Sequence, residues 1–276
     1  LPVVRLCPDE HMIDADAALA WLARSVGCVP ADWPDDTTAR AEALIREIRA
    51  RPKQVVLIDD AHKLFLRAVG GFRALRRVLA VLHATADSNL WICAFHGPAW
   101  GFLEGVAESV NLGVFRQRIA IGPLSGEELA AWLEGRAGAA GLTLDYSDLA
   151  GESLLGGEPQ RAADRARQAF WRLLADEARG NPRVSALYFL TALRVGRAPG
   201  MSSVVLFTAP EQPLVEALGA RELFVLTALV VHDGLTIRDL VEVLNLPAGV
   251  CRAVARQLEA RGMLMGDVRS DHYRVE

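Results

Sequence analysis

The chain has 276 residues, enough for two or three domains and a sizeable buried core. With 51% hydrophobic and 23% charged residues it has the composition of a folded soluble protein, which excludes intrinsic disorder. A net charge of -4 excludes a general electrostatic pull toward nucleic acid, so any DNA contact would need a local basic patch.

Four short apolar runs punctuate the first 122 residues: Val3 to Cys7, Val55 to Ile58, Leu90 to Ala94 and Arg118 to Ile121. Between them lie Asp14 to Val26, Thr37 to Arg51 and Lys63 to Ala86, each apolar at three- and four-residue spacing, which predicts helices. Apolar strands alternating with helices predict an α/β core with a parallel sheet covered on both faces. After Pro123 the pattern turns helical. Ser125-Gly126-Glu127-Glu128 reads as a capped helix start with early carboxylates, running to about Ala140. A second helix is expected over Pro159 to Arg179 and a third after Gly180-Asn181-Pro182-Arg183, with no strand signal between them and a linker over Val195 to Ser203. From Val204 a short strand is followed by helical patterns at Pro213 to Gly219, Arg221 to His232, Thr236 to Leu244 and Ala248 to Arg261. Two short strands, Met263 to Gly266 and His272 to Val275, close the chain. Three helices and a hairpin predict a winged helix-turn-helix. The expected domains are therefore an incomplete nucleotide-binding core over 1–122, a helical lid over 123–200 and a winged-helix domain over 201–276.

Cys7, Cys28, Cys93 and Cys251 form no C-x-x-C pair and read as reduced thiols of a cytoplasmic protein. No apolar run approaches the ~20 residues of a membrane span. The start, Leu1-Pro2-Val3-Val4, carries neither an initiator Met nor a signal pattern and reads as a strand entered midway.

The sharpest chemical signal is Val55-Val56-Leu57-Ile58-Asp59-Asp60-Ala61-His62, a strand ending in two acids. In open α/β sheets ligands sit beyond the carboxyl ends of the strands, where such acids can serve Mg²⁺ and orient an attacking water. A solvated Asp-Asp turn is the plain alternative. This stretch resembles the Walker B element of AAA+ ATPases and of their relatives, the STAND signalling ATPases and the origin-recognition group. The four strands are similar to the second to fifth of that family's five. The resemblance implies that Asp59 is the Mg²⁺ residue and that Asp60 polarises the water attacking ATP. Asp60 is one methylene shorter than the Glu usual in AAA+ enzymes, a departure familiar among STAND proteins, where slow hydrolysis works as a timer. It implies His96, at the end of Ile92-Cys93-Ala94-Phe95, as the γ-phosphate sensor, where the family often has Ser, Thr or Asn. Phe115-Arg116-Gln117-Arg118-Ile119-Ala120-Ile121-Gly122-Pro123 resembles the passage from the last core strand into the lid, with Arg116 or Arg118 contacting phosphate or a neighbouring subunit. Gly180-Asn181-Pro182-Arg183 resembles the family's second sensor, with Arg183 reaching the γ-phosphate.

The phosphate loop itself, G-x-x-x-x-G-K-[ST], is absent: the only lysines are Lys53 and Lys63, and neither follows a glycine. Its strand would lie centrally in the family sheet, so its loss would bare an apolar slot, and a natural front half upstream is expected. A loopless pseudo-ATPase remains the alternative. The resemblance thus implies ATP/ADP with Mg²⁺ as ligand, and the missing N-terminal region, other subunits or effector proteins as partners. Two other functions stay open. Arg252, Arg256 and Arg261 on the second helix of the helix-turn-helix, with Arg269 in the wing, would make a DNA-binding regulator, although Glu259, Asp267 and Asp271 are interleaved with them. A non-catalytic interaction scaffold is the other.

Overall fold

The computed structural model describes residues 1–106, 110–150, 159–208, 217–267 and 269–275. They fall into two compact units, one of residues 1–117 and 213–276 and one of residues 118–212. The C-terminal helices, expected as a separate domain, thus share a unit with the α/β layer.

In the first unit, β1 (Val3–Leu6), β2 (Val55–Ile58) and β3 (Leu90–Cys93) form a parallel sheet in that order. Arg5 pairs with Leu57 and Ile58 with Cys93. Helices α1 (Ala15–Ser25) and α2 (Thr37–Arg49) start where Asp14 and Asp36 accept hydrogen bonds from the amides of Ala17 and Ala39, both at 2.8 Å. Helix α3 (Arg73–Ala84) buries Ala74, Leu75, Val78, Leu79 and Leu82 at helical spacing against the layer. Each buried leucine there contributes about 1.5–3 kcal/mol.

The helix expected from Lys63 begins only at Arg73, after a 3₁₀ turn over Ala61–Leu64 and a tight loop. Gly71 shapes that loop, since a Cβ there would lie 2.1 Å from the Leu66 carbonyl oxygen. Helix α4 (Gly97–Gly105) follows β3. The strand expected over Arg118 to Ile121 does not form: Ile119 and Ile121 are 79% and 96% exposed, and no ladder engages them. Alternating apolar residues make a strand only where a neighbour supplies the hydrogen bonds. The sheet accordingly has three of the four expected strands.

The C-terminal part of this unit holds α5 (Ala220–His232), β4 (Leu235–Thr236), α6 (Ile237–Leu244), α7 (Ala248–Ala260), β5 (Leu264–Asp267) and β6 (His272–Val275). The three strands make an antiparallel sheet in which β6 lies between β4 and β5. Thr236 and Asp239 form a capping box on α6, and Asn245 ends that helix in the left-handed region. Leu218, Val225, Leu229, Leu240, Cys251, Leu258 and Tyr273 close a core that also takes in Leu66, with Ile13 and Ala68 against it, from the α/β layer. The helix expected over Pro213 to Gly219 lies mostly outside the described residues.

The sequence predicts a purely helical second part, but the second unit also contains strands. Helices α8 (Gly126–Ala139), α9 (Ser147–Ala150), α10 (Pro159–Glu177) and α11 (Pro182–Ala192) accompany a small sheet. Its strands are β7 (Thr143–Asp145), β8 (Leu193–Val195) and β9 (Met201–Val204), with β9 central. The expected linker over 195–203 is therefore mostly a hairpin, and Gly200 turns it at φ +77°. Strands of three or four residues leave too short a periodicity to separate from a loop.

At the centre of this unit Glu134 accepts from Arg167 at 2.5 and 2.6 Å, from the Tyr146 hydroxyl at 2.7 Å and from the Trp171 indole at 2.9 Å. Burial works to raise the Glu134 pKa, and these donors outweigh it, so the carboxyl sits below its ordinary value. Its contribution is present above the unfolded pKa and is lost as pH falls through the folded one. Glu134→Ala is expected to destabilise the unit by about 2–3 kcal/mol, because three donors lose their acceptor together. Urea unfolding followed by Trp171 fluorescence measures this; a change below about 0.5 kcal/mol would show that the donors find other partners.

Candidate functional site

The parallel order of β1, β2 and β3 brings three chain turns to one edge of the sheet: Cys7-Pro8, Asp59-Asp60 and Ala94-Phe95-His96. Backbone bonds fix their heights. The Asp59 amide donates to Leu6 at 2.8 Å, and the Ala61 amide donates to Ala94 at 2.9 Å. The acids thus stand at the carboxyl edge of the sheet, where the end of β2 is held on both sides.

Asp60 lies in the left-handed region at φ 48° and ψ 38°, a conformation Asp tolerates better than most residues. This kink separates the two carboxylates. Asp59 forms an ion pair with the exposed Arg5 of β1. Asp60 pairs with Lys63 Nζ at 3.1 Å and accepts from Cys7 Sγ at 3.7 Å. Burial would raise the Asp60 pKa, but Lys63, His62 and Cys7 together hold it below its ordinary value, so the carboxylate is charged at neutral pH. Lys63 also donates to the Pro8 carbonyl at 3.2 Å, and the Met12 amide donates to the Lys63 carbonyl at 2.7 Å. One lysine therefore fastens the loop after β1 to the acidic turn. Asp59 and Asp60 keep 29% and 39% of their side-chain surface exposed, which leaves them open to a ligand.

His96 is the N-cap residue of α4, and its amide donates to His62 Nδ1 at 3.4 Å. The two rings lie 5.9 Å apart. His96 thus reaches the acidic turn through His62, which is 1% exposed and which the motif reading passes over as part of a continuation. Burial lowers the His62 pKa to about 4. Further rings continue inward: His11 lies 6.5 Å from His62, and His232 lies 5.3 Å from His11 at an interplanar angle of 90°. Sequence spacing offers no signal for this file, because its members come from four separate segments.

Arg118 and Arg183 belong to the second unit. Arg118 sits in the extended stretch after residue 117, and Arg183 is an exposed residue in the first turn of α11. Asn181 caps that helix, accepting from the amides of Arg183 and Val184 at 2.9 and 3.3 Å, and Pro182 occupies a position that needs no donor. Gly180 has φ +63°, and a Cβ on it would lie 2.5 Å from Pro123 Cβ and 2.6 Å from the Leu124 carbonyl oxygen. In the C-terminal part, Arg252 pairs with Asp271 at 2.7 Å and Arg261 with Glu222 at 3.2 Å, while Arg256 is exposed. Carboxylates of the same chain thus engage two of the four arginines proposed for a phosphate backbone.

Among the described residues, no three His, Cys, Asp or Glu side chains converge on a point that would hold a metal ion. This donor set suits Mg²⁺ bound through its waters and phosphate oxygens by one or two carboxylates, and does not suit a protein-only cage. The outer edge of β3 has no strand beside it among the described residues, and Leu90 and Ile92 on it are 58% and 45% exposed. No helix among the described residues is long and apolar enough to cross a membrane.

No family model and no curated protein matches the chain. Among solved structures, the chain is similar to the ORC2 protein of Aeropyrum pernix in its ADPNP-ADP complexes, at 13% identity and a TM-score of 0.38, over 100% of this chain and 74% of that one. It is similar to the ADP form of the same protein at 14% identity and a TM-score of 0.41, over 100% and 74%. It is also similar to Cdc6p from Pyrobaculum aerophilum at 14% identity and a TM-score of 0.39, over 99% of this chain and 75% of that one. At these identities and scores the likeness carries no weight for function.

Proposed function

We propose that this chain is the switch-bearing part of a nucleotide-dependent ATPase of the AAA+ or STAND type. The observation that carries this reading is the acid pair Asp59-Asp60 at the carboxyl edge of a parallel sheet whose β3 edge has no strand beside it among the described residues. In this reading the β3 edge receives the strand that leads into a phosphate loop, in register with Leu90 and Ile92. Asp59, now paired with Arg5, would hold Mg²⁺ through its waters, and Asp60, kept charged beside Lys63, would orient the water that attacks ATP. His96 reports the γ-phosphate to His62. Arg183 and Arg118 of the lid supply positive charge to phosphates, Arg118 in this subunit or a neighbouring one. The C-terminal helices and hairpin act as a winged helix that docks on the α/β layer and changes its docking with the nucleotide.

The packing of Leu66, Ile13 and Ala68 into the C-terminal core supports a docking role for that part. The ion pairs of Arg252 and Arg261 weigh against DNA as its main partner. The reading is tested by titrating a fluorescent ATP analogue and Mg²⁺ into the protein, alone and with a phosphate-loop strand supplied to the β3 edge. Saturable binding that weakens roughly tenfold or more in Asp59→Ala is expected. Binding that ignores the substitution would remove Asp59 from the Mg²⁺ site, and no binding at all would favour the scaffold.

A further inference from the structure

The contact between the α/β layer and the C-terminal helices has an unusual chemistry. Most of it is apolar, but its centre holds two imidazoles facing each other from opposite sides. His11 comes from the loop after β1, and His232 is the last residue of α5 and is fully buried. His232 Nε2 accepts the Arg67 amide at 3.3 Å, which requires that nitrogen to carry no proton. His11 Nε2 faces the Gly234 carbonyl at 3.2 Å, which requires that nitrogen to carry one. The remaining nitrogen of each ring, Nδ1, is buried with no hydrogen-bond partner. The bond from Arg67 thus fixes His232 Nε2 as an unprotonated acceptor, while the contact with Gly234 fixes His11 Nε2 as a donor. A proton added to either ring puts a charge in an apolar contact, and on His232 it also ends the bond from Arg67.

The charged groups around the pair do not offset this. His232 meets Phe65 at 5.1 Å, with His11, His62 and Arg67 as its electrostatic neighbours, all of which oppose a positive charge. His11 is acted on favourably by Asp239 and the backbone of Gly234 and Phe65, and unfavourably by Lys63, while His272, whose ring lies beside Gly234, shares Asp239 and Lys63 as neighbours. Asp60 and Asp233 act on His62, which has His96 and His11 as further neighbours. Burial dominates all three: it lowers His11 and brings His232 down to about 3. The sign follows. A histidine whose pKa is depressed by docking adds stability to the docked state above the free value, near 6.5, and that stability is lost as pH falls below it.

We propose that the docking of residues 218–275 on the α/β layer is gated by protons, with the His11–His232 pair as the latch. The latch is closed at neutral pH and opens in mild acid, and it works whether or not nucleotide is bound. Between pH 7.5 and 5.5, a histidine that titrates near 6.5 when released and stays neutral when docked shifts the docking equilibrium about tenfold. His232 alone therefore shifts it about tenfold, and His11 adds to the shift in the same direction.

The Arg67 amide is a direct reporter, because its acceptor is His232 across the contact. Hydrogen exchange at Arg67 in the full chain, corrected for the intrinsic pH dependence and referenced to α1, should lose about tenfold or more in protection from pH 7.5 to 5.5. His232→Gln keeps an acceptor for that amide without a titrating group, and His11→Gln keeps a donor for Gly234. His11→Gln should still lose about tenfold, His232→Gln should lose less than the native chain, and the double variant should keep only the smaller response of the other buried histidines, His62 and His272. An unchanged pH response in the double variant, or constant protection in the native chain, overturns the proposal. If the variants lose protection in α1 as well, the native chain decides by NMR titration of its histidines. Ring signals of His11 and His232 that titrate well below 6.5 support the latch, and signals that titrate at the free value overturn it.

Discussion

Asp60→Asn is expected to lower ATP hydrolysis by about 10²–10⁴-fold in the protein that carries its phosphate-loop strand, with nucleotide binding retained. The substitution isolates charge from shape. Asn adopts the left-handed region as readily as Asp, so the turn at φ 48° persists. Its amide oxygen still accepts from Lys63 and Cys7, the groups that engage Asp60 in the native turn. What disappears is the negative charge that Lys63, His62 and Cys7 stabilise, and with it the group that polarises the attacking water. A phosphate-release assay under single-turnover conditions, paired with a nucleotide titration, separates the two effects. Hydrolysis at the native rate would take the catalytic role away from Asp60 and leave it as a structural turn residue.

The second large effect lies in the other unit. Gly180→Ala is expected to destabilise residues 118–212 by about 3 kcal/mol or more, because the new methyl would press on backbone rather than on a yielding side chain. The position combines φ +63° with a Cβ site 2.5–2.7 Å from Pro123 and Leu124, and the Leu124 amide donates to the Gly180 carbonyl at 3.0 Å. Neither neighbour can retreat without breaking the entry to α8. Arg183→Ala, three residues on, should leave stability within about 0.5 kcal/mol, since its side chain is exposed. Hydrogen exchange across α10 in the two variants makes the comparison. Equal protection in both would mean that the chain around Gly180 can shift after all.

That pair of residues shows what a motif can and cannot disclose. Gly180-Asn181-Pro182-Arg183 reads in sequence as a functional signature, and three of its four residues have a local structural reason. Gly180 gives the close approach, Asn181 caps the helix, and Pro182 occupies its first turn. Only Arg183 is left without a role in packing. The strand ending at Asp59-Asp60 was legible for the opposite reason, since a continuous apolar run ending in two acids has few alternatives in an α/β pattern. Helices α1 and α2 were legible from Asp14 and Asp36 and their apolar spacing. Helix α4 was not, because its three glycines and Pro98 dilute the helical pattern. The start of α3 was also missed, because the apolar residues Leu64 to Val69 continue a helical spacing that Gly71 interrupts. Arg118 to Ile121 alternates like a strand yet finds no ladder, which periodicity cannot foresee. The histidine file was invisible for a deeper reason: His11 and His232 meet only through tertiary packing, and nothing local marks either of them.

The order of residues in the first unit has a further consequence, for how the protein is made. Its two parts, residues 1–117 and 213–276, are separated along the chain by the 95 residues of the second. A ribosome adding roughly 5–20 residues per second takes about 5–20 s to cross that interval. Throughout it, Leu66 and Phe65 stand without the helices that will cover them. The continuous unit, residues 118–212, can close on itself before the first one has all of its parts. Slow, non-local closure of this kind is the setting in which nascent apolar surface recruits chaperones. The later-made residues of the C-terminal core thus decide when Phe65 and Leu66 are covered.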